Sequence, residues 1–180
     1  EEFLKNKELI AKFTHLIKSP SKITLAFPEN DDRVLSAAKI LKDIGLNIVT
    51  CNEIRLDDND YYSVLKKYKF SSNWPKEKLV DYLKDNYVYS LCMLNDGRLD
   101  GVICGCTIPT SEVLRGALRI VGLQRSSKWL SSMFLMVGKE NENFITFADC
   151  AVIPDPNSEQ LVEIAIESSK MHKKITGQKP

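Results

Sequence analysis

No apolar run in this chain of 180 residues approaches the length of about 20 that a membrane-spanning helix requires, so no membrane partner is expected. The opening "EEFLKNKELIAKF" lacks an apolar signal core. An excess of one charge is missing too. Twenty-five Lys and Arg stand against 24 Asp and Glu, a formal net charge of +1, which gives no global field to draw nucleic acid. The basic runs "LKKYK" (65–69) and "MHKK" (171–174) have acidic neighbours and read as solvated faces. Phosphate-binding G-x-x-x-x-G-K-[ST], dinucleotide G-x-G-x-x-G and nucleophile-elbow G-x-S-x-G motifs are all absent, which removes three large enzyme classes. Only His15 and His172 are available, too few to favour a Ser-His-Asp triad. Both are read as structural. The five cysteines (Cys51, Cys92, Cys104, Cys106, Cys150) are odd in number and lie mostly in apolar, strand-like runs. They read as buried reduced thiols of a cytoplasmic protein rather than a disulfide framework, and the lone C-x-C of Cys104 and Cys106 does not make a metal site.

What is present is an alternation of two hydrophobic periods, the mark of an α/β fold. A helical stripe at 3–18 precedes the short apolar run "KITLAF" (22–27), a strand ended by Pro28. "DDRVLSAAKILKDIG" (31–45) opens with acids suited to a helix N-terminus and closes on Gly45, and "LNIVTC" (46–51) is the next strand. This β-α-β unit implies a parallel pair with a right-handed crossover. Further elements are a helix in "YYSVLKKYKF", a long helix from Pro75 that bends near Asp85–Asn86, and a third strand in "LDGVICG" (99–105). A helix over 110–122, two strands in "SSMFLMVG" and "NFITFADCAVI", and an amphipathic helix over 157–174 capped by Asn157 or Ser158 complete the reading. The break at "ITGQKP" reads as a cut through a larger protein.

The chemistry concentrates in "LDGVICGCTIPTSEVLRGALRIVG" (99–122), where a strand passes through a small-residue loop into a helix at Thr110 or Ser111. The first turn of such a helix offers free N–H groups and a positive dipole end. Arg115, four residues after Ser111, shares its helix face and can grip a phosphate or carboxylate bidentately. Gly105 permits close approach of a ligand to the backbone. A plain capping role for Thr110 or Ser111, with Arg115 as a surface charge, stands beside that reading. In "FPENDDR" (27–33) clustered carboxylates could serve acid–base chemistry, with helix capping the favoured account of Asp31 and Asp32. Asp149 in "FADC" stands at a strand end, where α/β ligand crevices lie, with a turn the favoured account.

Four stretches in order resemble the phosphate acetyltransferase/phosphate butyryltransferase family: "LAFPENDDRVLSAAKIL", "LDGVICGCTIPTSEVLRGALRIV", "MFLMV" and "FITFADCAVIPDPNSEQLVEIAIESSK". The resemblance implies a three-layer α/β/α fold with a mostly parallel sheet, like that of isocitrate and isopropylmalate dehydrogenases. It implies a first domain over 1–124 and the start of a second over 125–180. It further implies transfer of acetyl between coenzyme A and phosphate, with acetyl-CoA and acetyl phosphate as substrates, no tightly bound cofactor and a homodimer. By the same resemblance, the coenzyme A thiolate is expected to attack acetyl phosphate directly in a ternary complex. The family's "T-L-R-P" arginine falls on Arg115, with Gly105, Cys106, Thr110 and Ser111 lining the same pocket. The arginine of its "L-R-K" helix falls on Lys66, which keeps the charge without the planar fork. The family's serine–arginine pair and proposed base have no counterpart here, so the chain is expected to be inactive alone. Phosphate butyryltransferase, or a non-catalytic fragment that binds phosphate or acyl phosphate, is the alternative.

Overall fold

The computed structural model describes residues 19–54, 61–138 and 143–180, and the helix expected over 3–18 lies outside them. The described residues fall into two compact units, Ser19–Gly122 and Leu123–Pro180.

In Ser19–Gly122, strands β1 (Thr24–Phe27), β2 (Asn47–Thr50) and β3 (Gly101–Val102) form a parallel sheet in the order β2-β1-β3. Alternation along the strands covers both faces. Phe27 and Ile48 pack with Ala38 of helix α1 (Asp32–Asp43) on one side. Ala26, Val49 and Val102 face a larger cluster on the other. That cluster is built by α2 (Tyr61–Leu65), α3 (Lys76–Leu83), α4 (Asn86–Asn95) and Ile120, which follows α5 (Thr110–Gly116). Helices on both faces make the three-layer α/β/α arrangement.

Three elements depart from the periodicity reading. The single helix expected from Pro75 is two helices, because Asp85 adopts an extended backbone and its carboxylate accepts the Tyr87 N–H at 2.8 Å, capping α4. The third strand is two residues long; Ile103 still donates to Ala26 at 2.9 Å, but the chain then turns away through Gly105 at φ 107°. The helix over 110–122 widens after Gly116 and continues as a π turn over Ala117–Val121. Gly116 lies so close to Tyr87 that an added Cβ would meet Cε1 at 2.6 Å.

In Leu123–Pro180, β4 (Met133–Val137) and β5 (Phe144–Ala148) form an antiparallel hairpin with Phe134 opposite Phe147 and Met136 opposite Ile145. Helix α6 (Ser158–Thr176) starts on a capping box in which Asn157 and Gln160 exchange hydrogen bonds, each at 2.9 Å. It docks on β5 partly through buried His172, whose Nδ1 lies 2.8 Å from the Thr146 hydroxyl.

Candidate functional site

Strand order places the sheet's topological switch between β1 and β3, where the chain leaves the carboxyl end of each strand on its way to different helices. In open α/β sheets this is where ligand crevices form. Here the chain from β1 delivers Glu29, only 4% exposed, against the loop that follows β3. One carboxylate oxygen accepts the Gly105 and Cys106 N–H groups at 2.9 and 3.0 Å. The other accepts the Thr107 and Ile108 N–H groups at 2.5 and 2.8 Å and the Thr107 hydroxyl at 2.9 Å. Burial alone would raise the Glu29 carboxyl, but the donors from Thr107, Ile108 and Cys106 outweigh it and hold the group at about 2, ionised at every physiological pH. Consecutive N–H groups turned to one point form an anion-binding nest, and this one is filled by the protein's own carboxylate.

Around Glu29 lies a cavity of about 230 Å³ that is also lined by Phe27, Arg33, Ile103, Cys104 and Cys106. Asp31 caps α1 by accepting the Arg33 N–H at 2.9 Å and grips the Arg33 guanidinium at 2.9 and 3.0 Å. The Arg33 hydrogen bond holds the Asp31 carboxyl at about 2. Arg33 thus meets the cavity already paired. Burial and then Glu29 push the Cys104 thiol up to about 11, and burial pushes Cys106 up against the pull of Arg33. Both stay thiols at neutral pH, which disfavours a cysteine nucleophile. Cys106 is exposed, unlike the buried thiol expected from its run, because Gly105 swings the loop out of the strand.

Arg115 stands elsewhere in the same unit. It is exposed on α5 and lines a cavity of about 190 Å³ with Tyr82, Tyr87, Asp85, Glu112 and Arg119. Arg115 and Arg119, one turn apart, give two cations against the carboxylates of Asp85 and Glu112. Arg119 also lies with its guanidinium carbon 5.3 Å from the Phe70 ring centre. Thr110 and Ser111 are exposed in the first turn of α5, but the N-cap position is Pro109 and no side chain caps the helix there. Lys66 donates to the Trp74 carbonyl at 2.9 Å. The sequence-predicted residues therefore occupy three places: Gly105 and Cys106 on the Glu29 loop, Thr110, Ser111 and Arg115 on α5, and Lys66 beside Trp74.

Glu29 escaped sequence reading because its donors lie 76 to 79 residues away, and no local spacing links them. The available signal was an acid just past the end of a buried strand. Asp149 has a similar arrangement in the other unit. It accepts the Ser132 hydroxyl and the N–H groups of Ser132 at 3.1 Å, Ala151 at 3.0 Å and Ile153 at 2.7 Å. Burial opposes ionisation, yet these donors hold Asp149 well below the usual carboxyl range. Among the described residues no helix is long and apolar enough to cross a membrane.

With this geometry established, similarity to known proteins is informative. A family model described as phosphate acetyl/butaryl transferase matches residues 45–180. The phosphate acetyltransferase of Acetivibrio thermocellus is 30% identical over 186 aligned residues, covering 87% of this chain and 56% of that protein. The phosphate acetyltransferase of Thermoanaerobacterium thermosaccharolyticum is 38% identical over 109 residues, 58% of this chain and 33% of its own length. Among solved structures, a phosphotransacetylase from Streptococcus pyogenes superimposes with a TM-score of 0.76 at 26% identity, over 92% of this chain and 58% of that one. A Staphylococcus aureus phosphotransacetylase has the same TM-score at 22% identity and supports the fold. The chain spans little more than half the length of the Acetivibrio relative and less of the other.

Proposed function

The chain belongs to the phosphate acetyl/butaryl transferase family, and from that premise we propose that the full-length protein interconverts acetyl-CoA plus phosphate with acetyl phosphate plus coenzyme A. The thiolate sulfur attacks the acetyl carbonyl, a C–S bond forms, the C–O bond to phosphorus breaks, and phosphate leaves with the electron pair. The thiol proton passes to a base outside these 180 residues, and coenzyme A enters as a substrate rather than a resident cofactor. Such a reaction needs fixed cations or N–H donors at the phosphoryl group and the developing oxyanion.

The observation that carries the reading is the family match across 45–180, which contains α5 and the polar cavity where Arg115 stands. In this reading the Arg115 guanidinium holds the phosphoryl oxygens, with Thr110 and Ser111 on the same helix contributing hydroxyls. Gly105 and Cys106 shape the approach to that helix rather than donating, since their N–H groups are committed to Glu29. Lys66 adds positive charge more remotely. The domain boundary falls near residue 125, the intact protein is a cytoplasmic homodimer, and the 180-residue piece alone is inactive. The test is thioester formation from coenzyme A with acetyl phosphate or butyryl phosphate, using the full-length gene product and the 180-residue piece side by side. Acetyl-CoA from the first and none from the second is the expected result; faster turnover of butyryl phosphate would move the assignment to butyryl transfer.

A further inference from the structure

Helix α5 is held at two points. Its entry, the loop 105–108 followed by Pro109, is fixed by Glu29 through four backbone N–H groups and one hydroxyl. Pro109 then starts the helix by accepting from Glu112 and Val113 at 2.9 and 3.1 Å. Its middle is fixed by Tyr87, whose hydroxyl donates to the Val113 carbonyl at 2.5 Å and whose ring abuts Gly116. Arg115 lies between Val113 and Gly116, so its placement depends on both. Tyr87 belongs to α4 and Glu29 to the chain leaving β1; the two anchors tie α5 to separate elements.

We propose that Glu29 is a positioning residue for anion binding at Arg115, acting by clamping the 105–108 loop and so setting the entry of α5; this rests on the function proposed above. Glu29 touches no substrate in this scheme. A carboxylate suits the task because all five donors converge on one small acceptor, and each oxygen accepts at least two of them. Glutamine at this position would turn an NH₂ group towards N–H donors and lose one half of the clamp. Tyr87 still holds the helix middle, so the expected loss is smaller than that of removing Arg115 itself.

The experiment uses the full-length gene product and inorganic phosphate as the probe. Phosphate affinity is read from the chemical shift of the Arg115 side-chain N–H, and amide hydrogen exchange at 105–108 is read in parallel. Glu29→Gln should accelerate exchange of those amides and weaken phosphate binding by about tenfold, and the Michaelis constant for phosphate should rise more than turnover falls. Glu29→Asp, which keeps the charge on a shorter arm, should recover part of both effects. Thr107→Val removes a single donor, and should shift both readouts in the same direction by less, which keeps the test available if Glu29→Gln does not fold. Faster loop exchange with unchanged phosphate affinity would overturn the proposal, because the loop would then not govern Arg115. Weakened phosphate binding with unchanged loop exchange would overturn it as well, by assigning Glu29 a direct contact. Phosphate binding that responds as described in a protein without acyl transfer would refute the proposed function and leave the clamp standing.

Discussion

The unit Ser19–Gly122 buries Ile54, Leu65 and Leu79 completely, within one cluster spanning β1 and α2 to α5 and beyond. In Leu123–Pro180, Ile164 is the buried apolar side chain among the described residues, while Phe134, Met136, Ile145 and Phe147 stand 52–61% exposed on one face of the hairpin. Leu161, Val162 and Ile166 of α6 are also about half exposed. The second unit is instead shaped by local hydrogen bonds: the Asn157 capping box, the Asp149 turn and the Thr146–His172 pair. Among the described residues, hydrogen bonds shape the hairpin and α6 with little apolar burial, and a clamped carboxylate occurs in both units: Asp149 beside the hairpin and Glu29 beside the packed sheet. Glu29 stays ionised because the donors of the 105–108 loop outweigh its burial.

Core substitutions should separate the two units most strongly. Leu79→Ala should cost about 2–5 kcal/mol, because a side chain with no exposed surface leaves a cavity behind. Ile164→Ala should cost less than half as much, since its surroundings can close over the gap. Urea unfolding of both variants checks the difference; equal losses would mean that the second unit has a core of comparable worth.

The two clamped carboxylates should follow, with Asp149→Asn and Glu29→Gln each destabilising by about 1–3 kcal/mol through donors left unmatched. Their pH dependence has a fixed sign. Glu29 is held at about 2 against an ordinary 4.5, so its contribution is complete above about pH 4.5 and is lost as pH falls towards 2. Asp149 is depressed in the same direction. Melting temperature should therefore fall on acidification, and Glu29→Gln should flatten the part of that fall due to Glu29. A variant with an unchanged acid profile would remove Glu29 from the ionised clamp.

Much of this fold could be read from residues close together in sequence. The strand ended by Pro28, the crossover into β2, the hairpin and the Asn157 cap each depend on neighbours within a few positions. The break in the long helix, expected near Asp85–Asn86 as a bend, is a full division capped by Asp85. The shortening of β3, with its loop turned onto the Glu29 carboxylate, is something periodicity does not register. Spacing singled out α5 and Arg115 as a candidate, and the structure sets Arg115 at the edge of a polar cavity. Spacing did not single out Glu29, whose five donors come from the other end of the unit, nor the division of the chemistry-bearing residues between two cavities.

Cysteine replacement should give the smallest effects. Cys106→Ala and Cys150→Ala should change stability by about 0.5 kcal/mol or less, as substitutions away from the core do. Neither should alter chemistry, and the Cys106 thiol is held above its ordinary value despite the pull of Arg33. A folded but inactive Cys106→Ala enzyme would reverse that view.

The most direct measurement is acetyl-CoA formation from acetyl phosphate and coenzyme A by the full-length gene product, with Arg115→Ala alongside. Turnover by the unaltered protein and a loss of about 10²-fold or more in the variant is the expected result, the size seen when one fixed donor to a developing anion is removed. A protein that makes no acetyl-CoA would contradict the assigned reaction, and a variant as active as the unaltered protein would contradict the assigned site.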